Sequence, residues 1–124
     1  MKGINKILIV LLSIVFISCS KLADNCIQKE ISSPENNYRA IVFSREAGAT
    51  TGFNTQVSII DSNKQLPDNP GNIFISDRMD DINMYWTNEK ELHIVLPDNK
   101  TRIYKIEESF EGIVIVYHYF DNDE

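Results

Sequence analysis

From residue 38 onward, apolar and polar side chains alternate through most of this chain. Tyr38, Ala40 and Val42 alternate with Arg39, Ile41 and Phe43. Beyond Gly48-Ala49-Thr50-Thr51-Gly52, the set Phe53, Thr55, Val57 and Ile59 alternates with Asn54, Gln56, Ser58 and Ile60. A period of two puts neighbouring side chains on opposite faces, which marks strands lying on a core. The two runs and their Gly-flanked connection predict an antiparallel hairpin over residues 38–60. Its loop is too long for a two-residue turn, and its glycines can take positive φ without strain.

Five further runs follow a loop at residues 61–71 that is rich in Asp, Ser, Asn, Pro and Gly. Residues 72–76 contain Ile73, Phe74 and Ile75. Ile82, Met84 and Trp86 share one face of the next run. Leu92, Ile94 and Leu96 share a face after the Asn88-Glu89-Lys90 turn. Pro97-Asp98-Asn99-Lys100 then turns the chain into residues 102–106, and the last run covers residues 112–120. There Ile113, Ile115 and Tyr117 face one way and Val114, Val116 and Phe120 the other, a pattern expected of a strand that is central or covered on both sides. No segment after the leader has a sustained helical period. The fold class predicted is all-β: a single small domain of about seven antiparallel strands, as a twisted sheet or small sandwich. Residues 34–42 and 88–96 repeat a polar turn followed by an alternating strand. This looks like the unit of β-propeller blades, but two units cannot close a propeller.

The front of the chain reads differently. Residues 1–6 carry Lys2 and Lys6, and residues 7–17 are apolar except for Ser13, with Ser18-Cys19-Ser20 behind them. That run is about half the ~20 residues of a membrane-spanning helix, and it fits the core of a secretory signal. A Cys directly after a small residue at the end of such a run resembles the lipobox of bacterial lipoproteins, although Phe16 and Ile17 depart from its usual residues. The resemblance implies cleavage between Ser18 and Cys19, with a diacylglyceryl thioether and an acylated amine (palmitate or a similar chain) on Cys19. Several acyl chains anchor stably where one binds marginally. The alternative is an ordinary cleaved signal in which Cys19 is incidental. Both readings export the protein. Ser20 lacks the Asp of inner-membrane retention, which by resemblance places the protein in the outer membrane of a cell that has two.

The predicted organisation is a signal peptide at residues 1–18, a lipidated Cys19 with a polar tether at residues 19–32, and a β domain at residues 33–124. Ser33-Pro34-Glu35-Asn36-Asn37 is a turn cluster at the start of that domain. Loss of Lys2 and Lys6 with the leader takes the formal charge from −6 to −8. Nucleic acid is therefore not an expected partner, since binding it depends on neutralising phosphates with Lys and Arg.

Ser33-Pro34, Tyr38-Arg39-Ala40-Ile41-Val42-Phe43, Arg45, Gly48-Ala49-Thr50-Thr51-Gly52-Phe53 and Gln56-Val57-Ser58-Ile59 together resemble a family of small bacterial secreted proteins and lipoproteins of unknown function. That family has a Cys-Gly-Ala-Thr-Thr motif on the loop. Gly71-Asn72-Ile73-Phe74-Ile75 and Trp86 also look like family positions. The resemblance implies an exported β-rich domain and carries no known activity. Ala47 stands where the family usually has Cys, so the family's disulfide there, to a Cys near position 26, cannot form.

Candidate chemistry is sparse. Gly48, Thr50, Thr51 and Gly52 form a candidate binding loop whose amides and hydroxyls suit an anion or carbonyl group. The competing reading is a structural loop whose threonines bond its own backbone. The loop has no Gly-Lys-Ser/Thr ending, so it gives no support for nucleotide binding. Cys26 is the remaining thiol if Cys19 is acylated, and is expected to be inert. His93 and His118 lie in alternating strands without a catalytic motif, and are expected to be surface or hydrogen-bonded histidines. Neither a His-Glu-x-x-His nor a paired Cys motif is present, so no metal and no cofactor is expected. Asp77, Asp80 and Asp81 crowd one loop, and Asp121, Asp123 and Glu124 end the chain. Their spacing matches no calcium loop. Most of Tyr38, Phe43, Phe53, Phe74, Tyr85, Trp86, Tyr104 and Tyr117 should be core, and an exposed subset could bind peptide or sugar.

The function expected is a non-catalytic protein-interaction module anchored to the bacterial cell envelope, its partners being the lipid bilayer through Cys19 and an envelope protein. The alternative is a lipoprotein that binds a small ligand or inhibits an enzyme; a hydrolase is a third. An apolar pocket would favour the ligand, a flat apolar patch or open sheet edge a protein partner. His93, His118 and Asp side chains gathered in one cleft would favour an enzyme.

Overall fold

The structure is a computed structural model and describes residues 25–48 and 52–120. Nine strands run in chain order: β1 (Asn25–Ser32), β2 (Tyr38–Gly48), β3 (Gly52–Asp61), β4 (Phe74–Asp77), β5 (Asn83–Asn88), β6 (Glu91–Leu96), β7 (Ile103–Ile106), β8 (Ser109–Phe110) and β9 (Ile113–Tyr119). They form a five-stranded sheet ordered β1-β2-β3-β4-β7 and a four-stranded sheet ordered β5-β6-β9-β8. The fold is all-β, and the two sheets face each other across one core.

The predicted hairpin is β2 and β3, paired from Tyr38↔Asp61 to Gly48↔Gly52. Gly52 has φ 82°, a left-handed conformation that favours glycine. The inner face of this hairpin supplies Ala40, Val42, Val57 and Ile59. The second sheet meets them with Met84, Leu92, Ile94, Leu96, Ile113 and Ile115 in one buried cluster. Alternate residues of each strand thus build the interior, as the period of two requires.

Two features differ from expectation. Residues 25–32, read as part of a polar tether, form β1, which pairs antiparallel with β2. Their polarity is that of an edge strand: Cys26 turns inward, while residues 27–30 are exposed. Cys26 is buried and disulfide-bonded, so within the body it is not a lone thiol. Second, β6 and β9 pair in parallel, from Glu91↔Val114 to Leu96↔Tyr119. The chain leaves the second sheet to lay β7 on the first, then returns through β8. As its two-faced apolar pattern predicts, β9 is central in its sheet, between β6 and β8; on its outer face Val114 is 49% exposed.

The repeated turns at residues 34–42 and 88–96 belong to hairpins in opposite sheets, and their tips meet. The Glu89 carboxylate accepts hydrogen bonds from the Ser33 hydroxyl (2.6 Å) and from the Glu35 (2.7 Å) and Asn37 (3.1 Å) amides. Lys90 Nζ donates to the Tyr38 hydroxyl at 3.0 Å. Desolvation pushes the Glu89 carboxyl up, but the hydrogen bonds from Ser33, Glu35 and Asn37 outweigh it and hold the group below the usual glutamate range.

Candidate functional site

The outer faces of the two sheets have different fates. On the first sheet, residues 62–73 fold back across β2 and β3. Asn25 Nδ2 donates to the carbonyls of Pro67 (3.0 Å) and Asn69 (3.2 Å), and Arg45 pairs with Asp68 at 2.8 Å. The Gly71 amide donates to Gln56 Oε1 at 2.7 Å and the Asn72 amide to Ser58 Oγ at 2.9 Å. The Asn72 side chain donates to the Ile59 carbonyl and accepts from its amide, both at 2.9 Å. Between the Arg39 and Arg45 contacts to this flap, Ile41 and Phe43 lie on the same face of β2 and are fully buried. The flap must come close. A Cβ on Gly71 would stand 2.8 Å from both the Phe74 and Val57 carbonyl oxygens.

On the second sheet the described residues place no such flap. Its outer face carries Tyr85 from β5, Glu91 and His93 from β6, and Val114, Val116 and His118 from β9. The register sets them side by side, as Tyr85↔His93, His93↔Val116, Glu91↔Val114 and Val95↔His118. Tyr85 is 43% exposed, and Phe120 beyond His118 is 60% exposed. The Tyr85 ring lies 4.7 Å from the His93 ring, within 13° of parallel.

The two histidines come together. His93 Nδ1 and His118 Nε2 are 2.8 Å apart, and His93 Nε2 is 2.7 Å from Glu91 Oε2. The Thr87 hydroxyl donates to the same Glu91 oxygen at 2.9 Å. With ring centroids 5.0 Å apart and planes within 12°, the imidazoles must meet edge to edge, since face-on stacking would not leave two ring nitrogens at hydrogen-bond distance. The hydrogen bond from His93, then that from Thr87, holds the Glu91 carboxyl below the ordinary glutamate range. Thr87 touches the carboxylate and not an imidazole. Among the described residues no hydroxyl or thiol bonds either imidazole, so the row shows no nucleophile–base contact of the kind covalent catalysis uses.

The other predicted residues fall elsewhere. Gly48 and Gly52 close the β2–β3 hairpin; Thr50, Thr51 and Cys19 lie outside the described residues, as do Asp121, Asp123 and Glu124. Asp77 accepts a hydrogen bond from the Tyr104 hydroxyl at 2.7 Å, and Asp80 lies 3.5 Å from Arg78 Nε. Among the described residues no group of three His, Cys, Asp or Glu side chains could hold a metal ion. Phe43 and Phe74 are core, Tyr38, Trp86 and Tyr117 half-buried, and Phe53, Tyr85 and Tyr104 exposed. Two open grooves lie away from the histidines. One, of about 320 Å³, runs past Tyr38, Ile59, Lys64 and Phe110. The other, of about 270 Å³, lies beneath the flap at Ile27, Arg39 and Leu66.

Sequence reasoning passed over Glu91, Val114 and Val116 as site residues. Their juxtaposition with His93 depends on the parallel β6–β9 register, which no local spacing encodes. No protein-family model, curated protein or solved structure matches this chain. The resemblance drawn from residues 33–59, 71–75 and 86 thus rests on those residues alone.

Proposed function

We propose that this chain is a non-catalytic interaction module of the bacterial cell envelope, carried there by a lipid on Cys19, and that it meets a protein partner with the outer face of its second sheet. One observation supports the reading above the others: the first sheet's outer face is sealed by its own flap, while Tyr85, Val114 and Phe120 stand exposed on the second. Exposed apolar side chains grouped on a flat face mark interaction surfaces. Tyr85 adds a polar tip to that surface, and tyrosine is enriched in protein interfaces. The two grooves are open and lie away from that face, which gives the small-ligand alternative less support.

The experiment is crosslinking of the anchored protein in cells, followed by mass spectrometry. Wild type should recover one envelope protein reproducibly, and a Tyr85→Ser, Val114→Ser double variant should lose it. Equal recovery by both would overturn the assignment of this face. Envelope attachment is read separately, since Cys19→Ser should release the protein from membranes. The chain has two cysteines, and a sulfur in a disulfide cannot also carry a thioether. The mass of the Cys19 peptide therefore decides directly whether the anchor is present.

A further inference from the structure

We propose that Glu91, His93 and His118 form a one-proton switch on the exposed sheet face, intact when the imidazole pair carries no more than one positive charge and broken by a second. The consequence for a partner rests on the function proposed above; the switch does not.

The argument is a count of hydrogens. A carboxylate only accepts, so the 2.7 Å contact to Glu91 requires a hydrogen on His93 Nε2. The 2.8 Å contact between His93 Nδ1 and His118 Nε2 requires one hydrogen between them. The neutral pair meets both demands, with His118 donating. A pair carrying one positive charge also meets them, with the extra hydrogen on His118 Nδ1 or with His93 as the donor. A pair carrying two cannot, because two N–H groups would then face each other with no acceptor between. Breaking that contact also separates two like charges.

The neighbours favour one charge and give no support for a second. From β6, the Glu91 carboxylate balances the first imidazolium. From β5, Tyr85 stacks on His93 and brings no charge. From β9, Val116 lies beside His93. Lys29 of β1 reaches the β5 edge through Asn83 Oδ1 at 2.9 Å, and Glu108 lies past β9, its carbonyl bonded to the Ile115 amide. Asp121, Asp123 and Glu124 follow His118 in sequence, outside the described residues. The switch therefore turns on at the acidity that adds a second proton to the pair. There His118, the more exposed ring, leaves His93, and the face gains charge while its flat aromatic row is disrupted.

Imidazole nitrogen NMR on the full mature chain tests this, and with two histidines in the sequence assignment follows from single variants. Between pH 8 and 4.5, wild type should take up its two protons in steps more than about one pH unit apart, with the Tyr85 ring signals moving at the second step. His93→Gln and His118→Gln should each leave a single step. Glu91→Gln should fold and should narrow the separation. Two wild-type steps matching those of the single variants would overturn the switch. So would Tyr85 signals that move at the first step or stay still. Loss of partner capture in the Tyr85→Ser, Val114→Ser variant reports on the face and not on the proton count, so failure of the two ideas is distinguishable.

Discussion

The outer face of the first sheet and that of the second are built from similar strands and end differently. Ile41 and Phe43 look outward from β2 and are fully buried. Tyr85 and Val114 look outward from β5 and β9 and are close to half exposed. The difference is a dozen residues of irregular chain. Gln56 and Ser58 accept from the Gly71 and Asn72 amides, and the Asn72 side chain bonds the Ile59 backbone in return, which lets a loop lie over a sheet without stranding polar groups. No described segment does this for the second sheet. Among the described residues one face is closed and the other is left open.

The comparison can be broken most directly by truncation. Phe43→Ala should cost about 3–5 kcal/mol, the range for emptying an aromatic core site. Tyr85→Ala should cost less than about 1 kcal/mol, as befits an exposed side chain. Thermal or denaturant unfolding of both measures this, and a loss at Tyr85 equal to that at Phe43 would mean the second face is covered.

Gly71→Ala comes next. Its new methyl group meets two backbone oxygens that cannot swing aside, and overpacking of this kind costs about 1–3 kcal/mol. It should also speed amide exchange at Ile59, whose N–H is held by Asn72. Unchanged exchange there would show that the flap is not gripped at Gly71.

Glu89→Gln sharpens the comparison at the turns, where the sheets are tied together. The carboxyl lies lower in the folded protein than in the unfolded chain. Its contribution is therefore complete above the unfolded value and fades as pH falls through the folded one. The variant should melt below wild type at pH 7, and the gap should close on acidification below about pH 4.5. A gap that holds constant with pH would remove the charge from the explanation. The smallest effect is expected for Val114→Thr, whose melting should stay within about 0.5 kcal/mol of wild type.

What the sequence disclosed was whatever alternation can carry. The hairpin over residues 38–60, the turn at residues 97–100 and the inward sets Leu92/Ile94/Leu96 and Ile113/Ile115 all follow from side chains repeating every second residue. Asp98 confirms its turn by accepting from the Lys100 and Thr101 amides. Edge strand β1 was hidden because one flank needs no apolar face. Its exposed residues Gln28, Lys29 and Glu30 look like a linker. The two-residue β8 is too short to show a period. The outward apolar residues of β2 and β9 have the same pattern, Ile41/Phe43 against Val114/Val116. Only the path of a distant loop decides which pair is covered. The meeting of His93 with His118 was invisible for a related reason: it is a property of strand order, not of spacing along the chain.

Because β1 is a strand, the leash that a lipid on Cys19 would provide is short. Five residues, 20–24, separate that sulfur-bearing position from Asn25, a reach of no more than about 20 Å. Asn25 pairs with Arg45, near the Gly48↔Gly52 end of the long hairpin. The molecule would then stand on the bilayer with that glycine-lined tip downward, next to the headgroups, and with the Glu89 pole held away from the lipid.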